Sequence, residues 1–393
     1  MNPQSAFRRV YLDNNASAPP LPEVLEATIR AMTSDFGNPS SAHSIGDRAR
    51  DLVERSRQEI ASLVGADSHQ VTFTSGGTEA NNLAIVSALS GSTRARIVTS
   101  PIEHSSVLKH CQYLESIGHE ITWLGVDDNG QVDTAELEDQ LSKPSDLVTL
   151  QWVNNETGVI QPIQEVAEIC RRHAVLFHCD AAQAVGKLPI DLESIPINLI
   201  SFTAHKIHGP QGVGALCQRQ STVALRPMLY GGEQEEGRRP GTENLAGIAG
   251  FGEAARIRRM RLGDWAANVA SLRDQFVHKL CQLLADVVVN GCGAPRVCNT
   301  ANVRFAGIDG HALLARLDQC GIVCSQSSAC TNRRPEPSYV LRAMGLSEDE
   351  AYASVRFSFS ELNTIADVNY AVEEIAAVVK QLRQFQGASM FAT

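Results

Sequence analysis

The 393-residue chain carries 43% apolar and 20% charged residues, a composition typical of a soluble globular protein rather than a disordered one. Its length exceeds what one simple core fills, so we expect two lobes. The formal net charge of −10 argues against nucleic acid as a direct ligand, because binding phosphate groups requires cationic surface.

The N-terminal residues contain no apolar segment like that of a secretion signal, and no apolar run approaches the roughly 18 residues of a membrane span. The sequence therefore predicts a cytoplasmic protein with no membrane contact. Its 10 cysteines include no CxxC pair, and Cys320 and Cys324 stand in a CxxxC spacing. In a long chain without an export signal, we expect reduced thiols and no metal site.

Between residues 45 and 217 the chain alternates between short apolar strands and amphipathic helices. The first unit comprises a helix over 47–64, the strand VTFT at 71–74 and a helix that begins within SGGTEANNLAI. This alternation is typical of a mostly parallel sheet, here of seven strands, with helices on both faces. The remaining strands are predicted at RIVTS (96–100), EITWLGVD (120–127), LVTLQWV (147–153), AVLFHCD (174–180), NLISFT (198–203) and GVGALCQ (212–218).

After Gly247 the pattern changes to that of an α+β lobe. A long helical stretch is followed by weaker strands at 287–291 and 300–307 and by helices from Gly310 and Ala366. We therefore predict a large α/β domain over 16–260 and a small α+β domain formed by 1–15 and 261–393. The four arginines of the run Arg256–Arg261 are predicted to form a solvated helix face, with a docking patch for an acidic partner as the alternative.

Polar residues follow four of the predicted strands, and in open α/β sheets ligands gather beyond the carboxyl ends of the strands. Ser75–Glu79 places small residues at a helix start, which suits either a phosphate cradle or a simple helix cap. Asn155 and Asp180 follow two further strands. Lys206 follows another and stands between apolar runs, although a buried ammonium is costly unless it is paired or converted.

An aspartate and a lysine at neighbouring strand ends have two interpretations. Asp180 and Lys206 could form a structural ion pair. Alternatively, Lys206 could condense with the aldehyde of pyridoxal phosphate while Asp180 keeps the pyridine nitrogen protonated, which makes the cofactor an electron sink. Their spacing alone does not separate these interpretations.

Motifs along nearly the whole chain carry a family resemblance. In order, they are YLDNNASAP (11–19), FGNPSSAHSIG (36–46), FTSGGTEANNLAI (73–85), EHSSV (103–107), VNNETGVIQPI (153–163), HCDAAQAVGKLPID (178–191), SFTAHKIHGPQGVGAL (201–216), RRPGTEN (238–244), SSACTNRRPEPSYVLRAMGL (327–346) and VRFSFS (355–360). The chain resembles the cysteine desulfurases of the NifS/IscS type, which are class V, fold-type I pyridoxal-phosphate enzymes that include the DndA branch. The resemblance implies pyridoxal 5'-phosphate as the cofactor and L-cysteine as the substrate.

The resemblance also implies roles for individual residues. Lys206 resembles the lysine that forms the Schiff base, Asp180 the partner of the pyridine nitrogen, and His104 the ring-stacking histidine. Arginine suits carboxylate binding because its planar fork donates two parallel hydrogen bonds. The other implied contacts are Gln183 to the ring hydroxyl oxygen, Gly77, Thr78, Thr203 and His205 to the phosphate, Asn155 and Arg356 to the substrate carboxylate, and Thr242 to the phosphate of the other subunit in a homodimer.

Cys330 lies in a small, polar segment with proline breakers, which predicts a loop. Arg333 and Arg334 follow it and would favour a thiolate. The resemblance implies that Cys330 attacks the substrate sulfur, becomes a persulfide and passes the sulfur to an acceptor protein. Cys324, six residues earlier beside an apolar pair, is interpreted as structural.

Two alternative functions would use a similar set of residues. A selenocysteine lyase or aminotransferase would use the same cofactor site, and a sulfur-transfer scaffold would bind the cofactor without turnover. The chain departs from the family at Asn332–Arg334 and at Glu361, where an acceptor could dock. The receiving pathway, whether iron–sulfur assembly, tRNA thiolation or DNA phosphorothioation, is left open by the sequence.

Overall fold

The computed structural model describes residues 8–219, 223–326 and 337–389. Its largest feature is a seven-stranded sheet with the strand order β2-β8-β7-β6-β5-β3-β4. The pairings among β3 to β7 are parallel, and β8 runs antiparallel to both of its neighbours. The strands are β2 (Val71–Thr74), β3 (Arg96–Thr99), β4 (Glu120–Trp123), β5 (Leu147–Gln151), β6 (Leu176–Asp180), β7 (Leu199–Thr203) and β8 (Gly214–Gln218). The mostly parallel seven-stranded sheet predicted from the sequence is confirmed.

Helices cover both faces of this sheet, which explains why most of its strands are buried along their whole length. Helix boundaries follow local capping; Asp133, for example, accepts hydrogen bonds from the backbone N–H groups of Ala135 and Glu136. The helices are α1 (Pro22–Thr33), α2 (Ser44–Leu63), α3 (Gly77–Ala88), α4 (Ser105–Ser116), α5 (Thr134–Gln140) and α6 (Ile163–Arg172).

A second, smaller body is built on a three-stranded antiparallel sheet with β10 at its centre. Its strands are β9 (Val287–Val289), β10 (Thr300–Phe305) and β12 (Ser354–Ser358), and beside them β1 (Val10–Tyr11) pairs in parallel with β11 (Ile322–Val323). The helices that follow along the chain are α8 (Gly310–Gln319), α9 (Tyr339–Ala343), α10 (Glu348–Tyr352) and α11 (Ile365–Ser389). The pairing of β1 with β11 brings the N-terminal segment onto this body.

Helix α7 (Leu245–Leu283) contributes to both hydrophobic cores. Its first half buries Phe251 against the large sheet, and its second half buries Phe276 in the core of the smaller body. Between them lies Arg258, whose guanidinium stacks on the Trp265 ring at 3.9 Å and donates to Glu361 at 3.1 Å. The predicted domain boundary at residue 260 falls within this continuous helix and stays a prediction.

The arginine run of α7 makes ion pairs within the chain. Arg258 is buried against Glu361, and its three neighbours pair with acids nearby: Arg256 with Glu253, Arg259 with Glu59 and Arg261 with Glu23. The prediction of a solvated helix face is wrong for Arg258, which is buried, and the docking patch for an acidic partner stays an alternative prediction. Across the three described ranges, no helix combines the length and apolar character that crossing a bilayer requires.

Replacing Phe276 by alanine should destabilise the smaller body. The side chain is fully buried, with ring centroids 4.9 Å from Phe357 and 5.3 Å from Phe359. We expect the F276A variant to lose about 3–5 kcal/mol of unfolding free energy, measured by urea denaturation. The control is Gln275→Ala on the exposed side of the same helix, which should change it by less than about 0.5 kcal/mol. Equal losses in both variants would contradict this packing.

Candidate active site

A cavity of about 280 Å³ lies beyond the carboxyl ends of the parallel strands. Its lining includes ten residues singled out from the sequence, namely Gly77, Thr78, His104, Asn155, Asp180, Gln183, Thr203, His205, Lys206 and Arg356. Thr242 is exposed and does not line this cavity. Cys330 lies outside the described residues.

Lys206 stands in a short helical turn directly after β7. Its Nζ donates to the backbone oxygen of Asn15 at 2.6 Å and to that of Ala16 at 2.8 Å. Backbone carbonyls therefore offset part of the cost of withdrawing this amine from water. They also aim it into the cavity.

Asp180 ends β6 and is buried, yet both of its carboxylate oxygens have donors. Oδ2 accepts from Asn81 Nδ2 at 2.7 Å, and Oδ1 accepts from the Ala182 backbone N–H at 2.9 Å. These two donors fix the orientation of the carboxyl group. Asp180 and Lys206 thus present an acceptor and an amine to the same cavity, each with neutral groups that hold it in place.

Two histidines line the cavity, and the surroundings of each favour the neutral form of its imidazole ring. The Nδ1 atom of His104 caps α4 by accepting the Ser106 backbone N–H at 3.2 Å, so the proton of the neutral ring is on Nε2. Burial lowers the pKa of His104, although Asp180 opposes the shift. Burial, followed by the charges of Lys206 and Lys187, lowers the pKa of His205 to about 4.

The start of α3 forms the anion-binding end of the cavity. The helix begins after Gly76 without a side-chain cap, which leaves backbone N–H groups of its first turn available to a ligand. Strand β8 approaches this turn so closely that a Cβ on Gly214 would lie 2.6 Å from the Gly76 backbone. Gly77, Thr78, Thr203 and His205 also line a shallower depression at this end.

Arg356 reaches the cavity from β12 of the smaller body. Its side chain is 3% exposed, with Nη2 donating to Asp13 Oδ1 at 2.7 Å and Nη1 donating to the Asn155 backbone oxygen at 3.0 Å. These contacts set the guanidinium beside Asn155, the other residue expected at the substrate carboxylate. Both bodies of the chain therefore contribute to the cavity.

Asn15 connects these groups, although the sequence reasoning assigned it no role. Its backbone oxygen accepts from Lys206 and, at 3.0 Å, from Gln183 Nε2, while its own Nδ2 donates to Thr300 Oγ1 at 2.8 Å. Asn81, Gln151 and Lys187 near the cavity were missed in the same way. Asn15, Asn81 and Lys187 lie inside segments quoted for the family resemblance, which was the available signal.

Three buried polar atoms of the cavity lining have no hydrogen-bond partner within residues 8–219, 223–326 and 337–389: Asn81 Oδ1, Asn155 Oδ1 and Arg356 Nε. Buried polar atoms are normally satisfied, so these three indicate a polar ligand. An amine, a buried carboxylate and an uncapped helix start fit the aldehyde, the pyridine nitrogen and the phosphate of pyridoxal phosphate. The residues present therefore fit this cofactor.

The fold and the cavity together define a pyridoxal-phosphate enzyme of fold type I. The chain belongs to the aminotransferase class-V family, whose model matches residues 10–370. It is 42% identical over 375 residues to a cysteine desulfurase of Trichormus azollae, which covers 95% of this chain and 94% of the relative. The family resemblance seen in the sequence is thereby confirmed, and pyridoxal 5'-phosphate is the cofactor.

Solved structures agree with this assignment. A NifS-like protein matches with a TM-score of 0.88 at 34% identity, over 95% of this chain and 100% of the other. SspA in complex with cysteine matches with a TM-score of 0.78 at 32% identity, over 90% of this chain and 99% of SspA. The predicted fold class is therefore confirmed over nearly the whole chain.

Cys324 has a different environment from that expected of a nucleophile. Its side chain packs against the core of the smaller body, and burial raises the pKa of its thiol well above the ordinary value. A thiol held protonated is a poor nucleophile, which supports its structural interpretation. No cluster of three or more potential metal ligands occurs in the described part of the chain.

Glu103 is a fully buried carboxyl beside His104. Its Oε1 accepts from Ser100 Oγ at 2.7 Å and from the Gln151 backbone N–H at 3.0 Å, whereas Oε2 has no partner in the described ranges. Burial is the main cause that raises the pKa of Glu103 from its ordinary value of 4.5 to about 8. The carboxyl is therefore protonated in the folded protein at neutral pH.

Replacing Glu103 by glutamine should change how stability depends on pH. Between pH 5 and 8 the folded state keeps a proton that the unfolded chain has released, so wild-type stability falls as the pH rises through this window. We expect the free energy of unfolding of E103Q, relative to that of the wild type, to rise by up to about 1.4 kcal/mol per pH unit across this window. Urea unfolding at several pH values measures this difference. The exposed control Glu115→Gln should run parallel to the wild type, and parallel curves for E103Q would contradict the assignment.

Proposed function

We propose that this chain is a pyridoxal-phosphate-dependent cysteine desulfurase that converts L-cysteine to L-alanine and leaves a persulfide on Cys330. The observation that carries the proposal is that His104, Asp180, Lys206 and Arg356 line one cavity at the carboxyl ends of the sheet. The Trichormus relative bears the name of this activity, and SspA is described in complex with cysteine.

Each group in the cavity has a distinct task in the proposal. The bound cofactor supplies an aldehyde and a ring that accepts electrons. Lys206 holds the aldehyde carbon and later acts as the base that moves the proton of the substrate Cα. Asp180 would keep a proton on the ring nitrogen, because its buried carboxyl group presents an acceptor to the cavity. His104 offers an Nε2–H to the reacting groups.

Cys330 supplies the nucleophile in this proposal. Its thiolate attacks the sulfur of the bound cysteine, the C–S bond breaks, and the electron pair of that bond returns to the substrate carbon, which takes up a proton to become alanine. One substrate cysteine and one Cys330 thiol thus give one alanine and one persulfide, with no external oxidant. A small, polar segment suits this role because the sulfur must also reach an acceptor.

We further propose a homodimer and a sulfur-acceptor protein. Thr242 is exposed and does not line its own cavity, which supports its assignment to the phosphate of the other subunit. The nearby segment 223–244 also exposes large apolar side chains, such as Tyr230, which is 93% exposed. The acceptor's pathway remains iron–sulfur assembly, tRNA thiolation or DNA phosphorothioation.

The test compares Cys330→Ala with the wild type reconstituted with pyridoxal phosphate. We expect C330A to keep the cofactor absorption band and its shift on adding cysteine, but to form alanine more slowly by on the order of 100-fold or more. The matched control is Cys292→Ala at an exposed cysteine, which should keep wild-type turnover.

Three outcomes would favour a different function. Unchanged alanine formation by C330A would contradict the nucleophile assignment. Transamination that survives in C330A would favour an aminotransferase, and a wild-type band that never shifts with cysteine would favour a sulfur-transfer scaffold. Selenocysteine offered in competition with cysteine distinguishes a lyase for that substrate.

Arg356→Lys should weaken substrate binding. Lysine keeps the charge but loses the planar fork that can hold a carboxylate through two bonds. We expect KM for cysteine to rise about tenfold or more, with a smaller change in kcat. The control Arg316→Lys changes an exposed arginine of α8 and should leave KM unaltered. An unchanged KM in R356K would remove Arg356 from the substrate site.

A further inference from the structure

Lys187 is a second buried lysine near the cavity, and the proposed reaction gives it no task. It is 4% exposed, and its Nζ donates to Gln183 Oε1 at 2.6 Å and to Asn15 Oδ1 at 3.0 Å. Both partners belong to the group that surrounds Lys206, since Gln183 lines the cavity and the backbone oxygen of Asn15 holds the Lys206 amine. Among the described residues, Lys187 therefore hydrogen-bonds to the active site through two amide side chains.

These contacts determine which way each amide faces. Lys187 Nζ donates to Gln183 Oε1, and its ammonium form has only donors, so this contact holds the oxygen of Gln183 toward Lys187 and the NH₂ group away from it. The NH₂ group then lies toward the cavity side, where Nε2 donates one hydrogen to the Asn15 backbone oxygen at 3.0 Å. Its second hydrogen remains for a ligand.

The side-chain amide of Asn15 is oriented by the same nitrogen. Its Oδ1 accepts from Lys187 and from Asn299 Nδ2 at 3.0 Å, so its Nδ2 faces Thr300 Oγ1 and the Asn155 backbone oxygen. Because an amide with its oxygen and nitrogen exchanged would place its NH₂ group against the Lys187 donor, the wrong orientation is penalised at both residues.

We infer that Lys187 is a positioning residue that fixes the amide of Gln183 with its NH₂ group toward the cavity, as a donor to the ring hydroxyl oxygen of pyridoxal phosphate. The inference rests on the proposed function, in which Lys206 carries the cofactor. Through Asn15, the same lysine supports the carbonyl that aims Lys206.

Cationic side chains around Lys187 raise the cost of burying it, so its hydrogen bonds are needed to hold it in place. Burial is the largest cause that lowers the pKa of Lys187 to about 7, and the other groups that act on it are Cys298, Lys206, Arg258 and Arg356. Three of these four are cationic side chains, so a lysine here is unfavourable unless its acceptors hold it. The ammonium form of Lys187 has only donors and so orients both amides, whereas a neutral polar side chain would allow the amides to turn.

Replacing Lys187 by methionine keeps the length of the side chain and removes the donors. Gln183 can then turn its oxygen toward the ring oxygen of the cofactor, which disfavours the deprotonated form of the bound cofactor. Loss of a nearby positive charge acts in the same direction. We expect the apparent pKa of the pH-dependent absorption change of the bound cofactor to rise by about one unit in K187M.

The measurement is an absorbance titration of the reconstituted protein, with circular dichroism as a check on folding. Lys143→Met, an exposed lysine far along the chain from this site, is the matched control and should titrate like the wild type. If K187M does not fold, Lys187→Gln takes its place, since glutamine can bond to Gln183 in either orientation; like methionine, it removes the directional constraint together with the charge.

A double-mutant cycle identifies the route of the effect. Gln183→Leu should raise the apparent pKa as K187M does, and the two changes together should raise it by much less than their sum, because both remove one donor. An unchanged apparent pKa in K187M or K187Q, or full additivity with Q183L, would overturn the inference. A wild type without any cofactor absorption, or without a cofactor linked to Lys206 after borohydride reduction, would instead overturn the proposed function.

Discussion

The packing of three basic side chains beside one cavity, with Lys187 and Arg356 buried and Lys206 partly buried, is the constraint on which the site depends. Lys206, Lys187 and Arg356 all need acceptors once they leave water. The short segment after β1 provides them: the backbone oxygen and Oδ1 of Asn15 accept from the two lysines, and Asp13 Oδ1 accepts from Arg356. Without this segment, Lys187 and Arg356 would each lose one of their acceptors.

This segment is itself held by the smaller body. Strand β1 pairs with β11, and the backbone N–H of Asn15 donates to Ser358 Oγ on β12 at 2.9 Å. Lys206 belongs to the large sheet, whereas its acceptors are fixed by the other body, so the amine is aimed only when the two bodies are packed together. The position of the Lys206 amine in the site therefore depends on how the two bodies pack together.

The sequence predicted the sheet well because buried parallel strands are short apolar runs between amphipathic helices. It also indicated Asp180 and Lys206, since polar residues directly after such strands share one edge of the sheet. It could not reveal Asn15, whose main contribution is a backbone carbonyl that every residue type possesses. Glu361 illustrates a second limit: its ion pair with Arg258 joins residues 103 positions apart, which no local pattern indicates, while its place near a docking acceptor stays a prediction.

A polar wall arranged in this way holds its donors and acceptors in set orientations before a ligand enters. Groups that can only donate, such as lysine and arginine, determine which end of each neighbouring amide faces the cavity, and the amides in turn fix the position of the lysine amine. Preoriented dipoles of this kind stabilise developing charge more effectively than side chains that must turn first. The placement of Lys187, Lys206 and Arg356 around one cavity is therefore the physical basis of a site that is ready for an anionic cofactor and a carboxylate substrate.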